Sequence, residues 1–386
     1  MGRKNPRKMA DARAAAGSGA AWSLGQSIID PPPRSSVDFL DKNLLPWVSH
    51  YLKVVFTPRH KFPSYDESAD QPGISPLPQE CKVALAGDWG AGTESAYRVM
   101  DHVRYVQKPD ITIHLGDIYY SGQPDEVSEY FLGEDDWYRA SRSFALNANH
   151  EMYCGGKGYF DHVLPALEQQ ASYFAVENDH WRIVAVDTGY YSKVFPFLEL
   201  LLKTKLHDKN LSWMREVVFA DPLDRRPVIL LSHHQWFSAH DTAYAKVGSQ
   251  LEPFLKDVAL WFWGHEHRFS GYAAFAPSGD NKVRARCIGH GGMPVEIKPP
   301  KNQEVPLVFV DERKAAEVDG DPVGFCGNTL LEFNDAELAV RYYDEQGEEL
   351  LVEGWTSGGR AGGATGRILK SSSVLRWFRP PEELVS

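Results

Sequence analysis

The sequence predicts an α/β fold built on a largely parallel sheet, and the rhythm of residues 81–289 carries this prediction. Short apolar runs recur there, and segments with the apolar spacing of a helix separate them. The runs are CKVALAG, DITIHLG, SFALNA, WRIVAVD, PVILLS and VALWFW, and two of the helical segments are TESAYRVMDHVRYVQ and LSWMREVVF. Because alternating strands and helices form parallel sheets with layers on both faces, we expect a sheet that is covered on both sides. After Gly289 the short alternating segments TLLEFN and ELAVRYYDE predict antiparallel strands that complete a sandwich.

The ends of the chain differ in composition from this main region. Residues 1–35 are rich in Ala, Gly, Arg and Pro and end in DPPPRSS, which predicts a flexible tail; a mitochondrial-type presequence is the alternative. Residues 36–80 contain VDFLDKNLLPWVSHYLKVVF, which predicts a helical extension. We therefore expect a main domain over residues 81–353 and a Gly-rich C-terminal tail over residues 354–386, which includes WTSGGRAGGATGR.

Composition excludes several classes of protein. The net charge of −11, from 41 basic and 52 acidic residues, argues against binding to the phosphate backbone of nucleic acids. The four cysteines form no C-x-x-C pair, so neither a disulfide framework nor a thiolate zinc site is indicated. No apolar run approaches the roughly 18 residues of a membrane span, and the N-terminus has no apolar signal region. The sequence thus predicts a protein of a reducing, cytoplasmic compartment and leaves its oligomeric state open.

Polar residues with metal-binding chemistry follow five of the apolar runs. They are Asp88 in GDWG, Asp117 and Tyr120 in GDIYY, Asn149 and His150 in NANHE, His233 in LLSHH, and His265 and His267 in WGHEH. Open α/β sheets bind ligands at the carboxyl ends of their strands, so these residues are expected to converge. Carboxylate, amide, phenol and imidazole together suit iron, manganese or zinc. The set is too large for one ion, and two ions about 3.5 to 4 Å apart need a bridging carboxylate, for which Asp117 is the natural candidate.

Each of these residues also has an ordinary structural interpretation. Asp88 and Asp117 could cap helices, Asn149 could lie in a turn, and His-x-His could be one face of a strand. Buried carboxylates and imidazoles at five strand ends would be costly, however, unless they are paired or bind metal. The joint pattern therefore favours a metal centre.

The order GD, GD-x-x-Y, N-H-E, H and GH-x-H resembles that of the calcineurin-like metallophosphoesterases, and among them the purple acid phosphatases. Most of that superfamily opens with Asp-x-His, whereas Gly90 stands at the histidine position here. The purple acid phosphatases instead use a tyrosine three residues after the second Asp, where Tyr120 stands. The resemblance covers roughly residues 81–295. It implies a four-layer α/β/β/α sandwich with a dimetal site at the strand ends.

The resemblance also implies a ligand set for each ion. The first ion would be held by Asp88, Asp117, Tyr120 and His267, and the second by the bridging Asp117 with Asn149, His233 and His265. A phenolate suits Fe(III), so the first ion is expected to be ferric and the second to be Fe(II), Zn(II) or Mn(II). Tyr119 is expected to point into packing, since neighbours on an extended segment face opposite ways.

Further histidines have implied roles at the substrate. By resemblance His150 is the general acid, because a departing alkoxide needs a proton; the alternative is a hydrogen bond to Glu151. His234 and His240 compete for a substrate-binding role, and His114 and Asp187 are expected to support the ligands from behind.

The predicted function is hydrolysis of a small phosphorylated substrate, most simply a phosphomonoester, by a hydroxide that two metal ions generate near neutral pH. Two alternatives stay open. The first is a phosphodiesterase of the same fold, acting on a cyclic nucleotide or a phospholipid head group. The second is a non-catalytic regulatory module that retains the site.

Overall fold

Two large β-sheets dominate the computed structural model, which describes residues 57–65, 72–192, 204–318 and 321–386. The nine-stranded sheet has the spatial order β1 (Ile74–Pro76), β5 (Phe174–Glu177), β6 (Arg182–Ala185), β7 (Val228–Ser232), β8 (Val258–Trp263), β10 (Ala285–Ile288), β9 (Phe269–Tyr272), β12 (Leu307–Val310) and β19 (Arg376–Trp377). The seven-stranded sheet has the order β18 (Ala364–Ser371), β17 (Glu349–Ser357), β16 (Glu337–Asp344), β15 (Gly327–Asn334), β2 (Glu80–Ala86), β3 (Ile111–His114) and β4 (Arg142–Ala145). A small third sheet contains β11 (Val295–Glu296), β14 (Asp321–Gly324) and β13 (Lys314–Val318).

Short helices connect the strands of the two large sheets. The α-helices are α1 (Glu94–Asp101), α2 (Pro124–Tyr130), α3 (Asn149–Tyr153), α4 (Leu164–Ala166), α5 (Asp208–Trp213) and α6 (Ala245–Leu251). Turns of π-helix extend three of them, over His102–Gln107, Tyr159–Val163 and Met214–Val218, and 3₁₀ turns occupy Glu252–Asp257, Gly359–Ala361 and Pro381–Leu384. None of the helices in the described part of the chain combines the length and apolarity that crossing a membrane requires.

The predicted parallel strands are present, but they are divided between the two sheets. Strands β2, β3 and β4 run parallel in the seven-stranded sheet, and β6, β7, β8 and β10 run parallel in the nine-stranded sheet. The predicted antiparallel strands β15 to β18 pair in order beside β2. The seven-stranded sheet therefore contains the parallel strands β2 to β4 on one side and the antiparallel C-terminal strands β15 to β18 on the other.

The core has the layers that the sequence predicts. Successive residues of a strand face opposite sides of the sheet. On β2, Val83 and Leu85 pack with residues of the other large sheet, such as Ile229, whereas Ala84 packs under α1 residues such as Val99. The four-layer α/β/β/α sandwich is thereby confirmed.

The C-terminal residues are not the tail that their glycines suggested, so this prediction is wrong. Strand β18 pairs with β17 along its length, β19 pairs with β12, and the side chain of Leu384 is completely buried. The glycines form the connection between β17 and β18, where Gly362 and Gly363 have φ angles of 88° and 85°. A glycine-rich stretch was therefore a turn signal and not a sign of disorder.

At the other end, most of the predicted N-terminal features lie outside the described residues. This holds for the tail over residues 1–35 and for the helical segment that ends at residue 56. Residues 57–65 contact the main domain: Phe62 is buried and stacks on Tyr173, and the Tyr190 hydroxyl donates a 2.7 Å hydrogen bond to the carbonyl of His60.

A buried ion pair joins the two large sheets. Arg286 of β10 donates hydrogen bonds of 2.7 and 2.9 Å to the two carboxylate oxygens of Glu353 on β17, and both side chains are completely buried. Tyr342 and Trp355 also donate to this carboxylate, at 2.8 and 3.1 Å. The two opposite charges thus face each other, and both carboxylate oxygens accept hydrogen bonds. These contacts compensate the pair for its burial between the sheets.

We predict that Glu353→Gln lowers the free energy of unfolding by about 3 to 5 kcal/mol, because it leaves the Arg286 guanidinium buried without a counter-charge. Denaturant unfolding followed by circular dichroism measures the change. Glu332→Gln is the control, since Glu332 pairs with Arg341 near the surface and such pairs contribute about 0 to 1 kcal/mol. Equal losses in the two variants would contradict the assignment.

Candidate metal centre

The predicted ligand residues lie where strands of both large sheets end. Asp88, Asp117 and Asn149 follow β2, β3 and β4 of the seven-stranded sheet, and His233 and His265 follow β7 and β8 of the nine-stranded sheet. The loops after β2 and β8 touch: a Cβ on Gly87 would lie 3.1 Å from the Cα of Gly264. The absence of side chains at these two glycines lets ligands from different sheets meet.

Three of these residues have the left-handed backbone conformation. The φ angles of Asp88, Asp117 and His265 are 59°, 67° and 66°. Positive φ is uncommon for residues other than glycine, and Asp and His tolerate it better than most. Residues held in sparsely populated conformations cluster at functional sites, where the surrounding structure maintains them.

One group of side chains surrounds the hydroxyl of Tyr119. This oxygen lies 3.0 Å from Asp88 Oδ1, 3.3 Å from Asp117 Oδ2 and 2.9 Å from His267 Nε2. His267 Nε2 is also 3.6 Å from Asp88 Oδ1. Asp88, Asp117 and His267, three of the four ligands predicted for the first ion, thus lie together around a phenol hydroxyl.

That phenol belongs to Tyr119, whereas the sequence pattern assigned Tyr120 to the metal and Tyr119 to packing. The half-buried ring of Tyr120 packs beside Ala91, Tyr119 and Met293. The expectation for Tyr119 assumed an extended segment, and the structure differs there. The chain turns at Asp117, which has positive φ, and residues 119 and 120 are in a turn, so the strand rule of opposite faces does not apply.

A second group surrounds His233. Its Nε2 lies 3.2 Å from Asn149 Oδ1 and 3.3 Å from Asp117 Oδ2. Donor atoms of His233, His234 and His265 also lie within 4.8 Å of one another. Asp117 Oδ2 therefore adjoins both groups, which is the arrangement that a bridging carboxylate requires.

Asp117 is held in place by the residues that follow β4. The buried carboxylate of Glu151 accepts hydrogen bonds from the backbone N–H groups of Asp117 and Ile118, at 3.3 and 2.7 Å. The backbone N–H of His150 donates to Asp117 Oδ1 at 3.1 Å. The N-H-E block visible in the sequence was the signal for this role of Glu151, which the sequence reasoning considered only as a partner for His150.

The imidazole of His150 faces the site with one nitrogen. Its Nδ1 is hydrogen-bonded to the carbonyl of Tyr120, so this nitrogen carries the proton and donates it. Its Nε2 lies 3.9 Å from Asp117 Oδ2, and its ring packs against the ring of Tyr119. The bond to Tyr120 takes the place of the alternative bond to Glu151.

The two histidines considered for substrate binding have different surroundings. The ring of His234 lies 4.6 Å from that of His265, and its Nδ1 is 3.0 Å from the Thr188 hydroxyl. His240 is buried, and neither of its ring nitrogens has a hydrogen-bond partner among the described residues. Burial lowers the pKa of His240 to about 3. Of the two, His234 adjoins the ligand group.

Two further buried residues support the loops. His114 Nε2 is 3.0 Å from the Trp89 carbonyl, and its Nδ1 accepts a hydrogen bond from the N–H of Gly116. The carboxylate of Asp187 accepts hydrogen bonds from the backbone N–H groups of Gly189 and Tyr190, both at 2.8 Å. His114 and Asp187 thus hold the loops through hydrogen bonds to the backbone. None of these bonds reaches the Tyr119 hydroxyl.

Electrostatics distinguish the two carboxylates. Burial raises the pKa of Asp88 well above its usual value, and the nearby charge of Asp117 raises it further. Burial would also raise the pKa of Asp117, but the charges of His233 and His150 hold it well below its usual value. Burial lowers the pKa of His265 to about 4 and that of His267 to about 3. The side chains alone therefore leave the charge of Asp88 poorly compensated.

The donor atoms fit metal cations. His233 Nδ1 lies 3.0 Å from the Leu115 carbonyl, to which it donates, so its Nε2 presents a lone pair. That lone pair faces oxygens of Asn149 and Asp117 at 3.2 and 3.3 Å. Three acceptor atoms so close together repel one another unless a cation or a proton lies among them. The same need appears in the pKa of His233: burial would lower it, but Asp117 raises it to about 9.

The chain was also compared with known proteins. Residues 81–269 match the family model described as calcineurin-like phosphoesterase. No curated protein sequence matches the chain.

Several solved structures resemble the chain at low sequence identity. A purple acid phosphatase from yellow lupin (Lupinus luteus) seeds is 14% identical, with a TM-score of 0.47, over 71% of this chain and 54% of that chain. GAP50, the anchor in the inner membrane complex of Plasmodium, is 16% identical, with a TM-score of 0.50, over 71% and 87%. PhoD is 11% identical, with a TM-score of 0.49, over 78% and 73%. This chain thus spans about half of the lupin structure, and likeness at these identities is likeness of fold.

Proposed function

From the match of residues 81–269 to the calcineurin-like phosphoesterase family model, we propose that the chain is a dinuclear-metal hydrolase of phosphomonoesters, similar to the purple acid phosphatases. One observation carries the proposal. The Tyr119 hydroxyl contacts Asp88, Asp117 and His267, and the oxygen of Asp117 that it contacts also faces His233. A phenol in a cluster of carboxylate and imidazole donors, beside a second imidazole group, supports two adjacent cation sites.

The proposed ligands follow the two groups. The first ion, proposed to be ferric, would be held by Asp88, Asp117, Tyr119 and His267. The second ion, Fe(II), Zn(II) or Mn(II), would be held by Asp117, Asn149, His233 and His265. When bound, such a pair of cations supplies positive charge for the phosphoryl oxygens and lowers the pKa of a bound water towards about 7.

The chain's own residues supply a proton donor and an exposed side from which a substrate can approach. With its Nδ1 proton engaged by Tyr120, His150 can hold a second proton on Nε2 and donate it to the departing alcohol. The side chains of His150 and His267 are 13% and 22% exposed, so a small phosphorylated substrate can approach from this side. His234 stands beside His265, where it can contact the substrate.

The first test of the proposal is Asp117→Asn, which removes the bridging charge. We expect the purified wild type to contain about two metal ions per chain and to hydrolyse p-nitrophenyl phosphate faster than its bis ester, and the variant to lose at least one ion and nearly all hydrolysis. Elemental analysis and phosphate release measure these quantities. The control is Asp335→Asn, because Asp335 is exposed and has a comparable φ of 51°. A wild type that binds two ions but cleaves no phosphoester would refute the proposed function.

The second test uses the colour of a ferric phenolate. A phenolate bound to Fe(III) absorbs visible light by charge transfer, so the oxidised, iron-loaded protein should be coloured. Tyr119→Phe keeps the ring but removes the hydroxyl, and we expect this variant to be pale and to hold ferric iron more weakly. Tyr120→Phe is the matched control and should keep the colour. Visible absorption spectra decide the matter: bleaching by the Tyr120 change alone would restore the sequence-based assignment.

The third test concerns His150. If it protonates the leaving group, His150→Ala should lower the rate for alkyl phosphates about 100-fold or more and affect p-nitrophenyl phosphate far less, since nitrophenolate leaves without a proton. Metal content should stay unchanged. His162→Ala, at an exposed histidine, controls for the loss of an imidazole. Equal losses on both substrates would argue for a positioning role instead.

A further inference from the structure

We propose that Tyr244 is a positioning residue for the second ion, through a hydrogen bond that fixes the ring of His265. The inference rests on the proposed dimetal function and assigns a role to a tyrosine that lies outside every metal-binding motif of the sequence. The Tyr244 hydroxyl lies 2.9 Å from His265 Nε2. It thereby occupies one of the two ring nitrogens of His265.

The other ring nitrogen of His265 is the one left for a cation. His265 Nδ1 is buried and has no hydrogen-bond partner in the described part of the chain. A buried nitrogen without a partner is costly, and a metal ion is one group that would satisfy it. The ring also lies among other imidazoles, with its centroid 5.2 Å from that of His233.

The tautomer of His265 follows from this geometry. For Nδ1 to offer a lone pair to a cation, the ring proton must be on Nε2, and the Tyr244 oxygen must accept it. His233 has the opposite arrangement, since a backbone carbonyl holds its Nδ1 proton and Nε2 faces the site. The orientation of His233 is therefore set by the main chain, whereas that of His265 depends on one side-chain hydroxyl.

The position of Tyr244 is itself well defined. Its backbone N–H donates to the carbonyl of Gln235 at 3.3 Å, and the side-chain amide of buried Gln235 donates to the carbonyl of Thr242 at 2.8 Å. Its ring packs edge-on against His234, at a centroid distance of 4.7 Å. The loop over residues 235–244 is thus closed on itself and presents the phenol to His265. Removing the hydroxyl should break the bond to His265 and leave the packing of the ring against His234 in place.

The test measures metal affinity without substrate. Zn²⁺ is titrated into metal-free wild type and metal-free Tyr244→Phe by calorimetry. Losing a partner that orients a metal ligand typically costs 10-fold to 100-fold in affinity. We expect one of the two Zn²⁺ sites of the variant to weaken by about that factor, the other to keep its affinity, and the thermal unfolding midpoint of the metal-free protein to stay unchanged. Tyr105→Phe, at a largely exposed tyrosine, is the matched control and should bind as the wild type does.

Each other result counts against the proposal. Unchanged affinity at both sites, with or without loss of hydrolysis, would assign Tyr244 to the substrate or to packing. Equal weakening of both sites would indicate a general disturbance of the centre. Because the readout is binding, a protein that takes up two ions but cleaves no phosphoester would refute the proposed function and leave this inference to be judged on the isotherms.

Discussion

The close burial of two carboxylates, Asp88 and Asp117, is the constraint on which the rest of the site depends. Charged groups are costly to bury unless opposite charge and hydrogen bonds compensate them. The structure provides part of that compensation from the backbone: the N–H of His265 donates to Asp88 Oδ2 at 2.8 Å, and that of His150 donates to Asp117 Oδ1 at 3.1 Å. The remainder must come from protons or cations. Glycines permit the crowding, since a Cβ on Gly264 or Gly289 would lie 2.6 or 2.8 Å from Asp88 Oδ2.

Much of the fold and the clustering of the candidate ligands could be predicted because both depend on local pattern. Apolar runs that alternate with helical spacing specify strands and helices, and parallel strands bring their carboxyl ends to one edge. Asp88, Asp117, Asn149, His233, His265 and His267 all follow such runs directly, so their convergence could be inferred without knowing which strands are neighbours. The division of the strands between two sheets could not be inferred, because it depends on long-range pairing such as that of β2 with β15.

The differences between the structure and the sequence-based expectations have an equally physical origin. The choice between Tyr119 and Tyr120 depends on the direction of two side chains after a left-handed residue, and alternation along a strand gives no guide there. Tyr244 carries no sequence signal, because its contact with His265 joins two loops through space. The C-terminal strand β18 was missed because the glycine-rich stretch before it was interpreted as part of a tail, although it forms the turn that leads into this strand.

The ligands also connect the site to the fold as a whole. Asp88, Asp117 and Asn149 come from one large sheet, and His233, His265 and His267 come from the other, so any cation shared by these residues links the two sheets. Arg286 and Glu353 already join the same sheets by a fully satisfied pair that needs no ligand. At the strand ends, by contrast, His233 and Asp117 face each other at 3.3 Å, and either a proton on His233 or a cation must lie between them. A species that binds the folded but not the unfolded chain stabilises the fold in proportion to its affinity. The Arg286–Glu353 pair thus joins the two sheets without any ligand, whereas a cation bound by the candidate ligands at the strand ends would add its binding free energy to the stability of the sandwich.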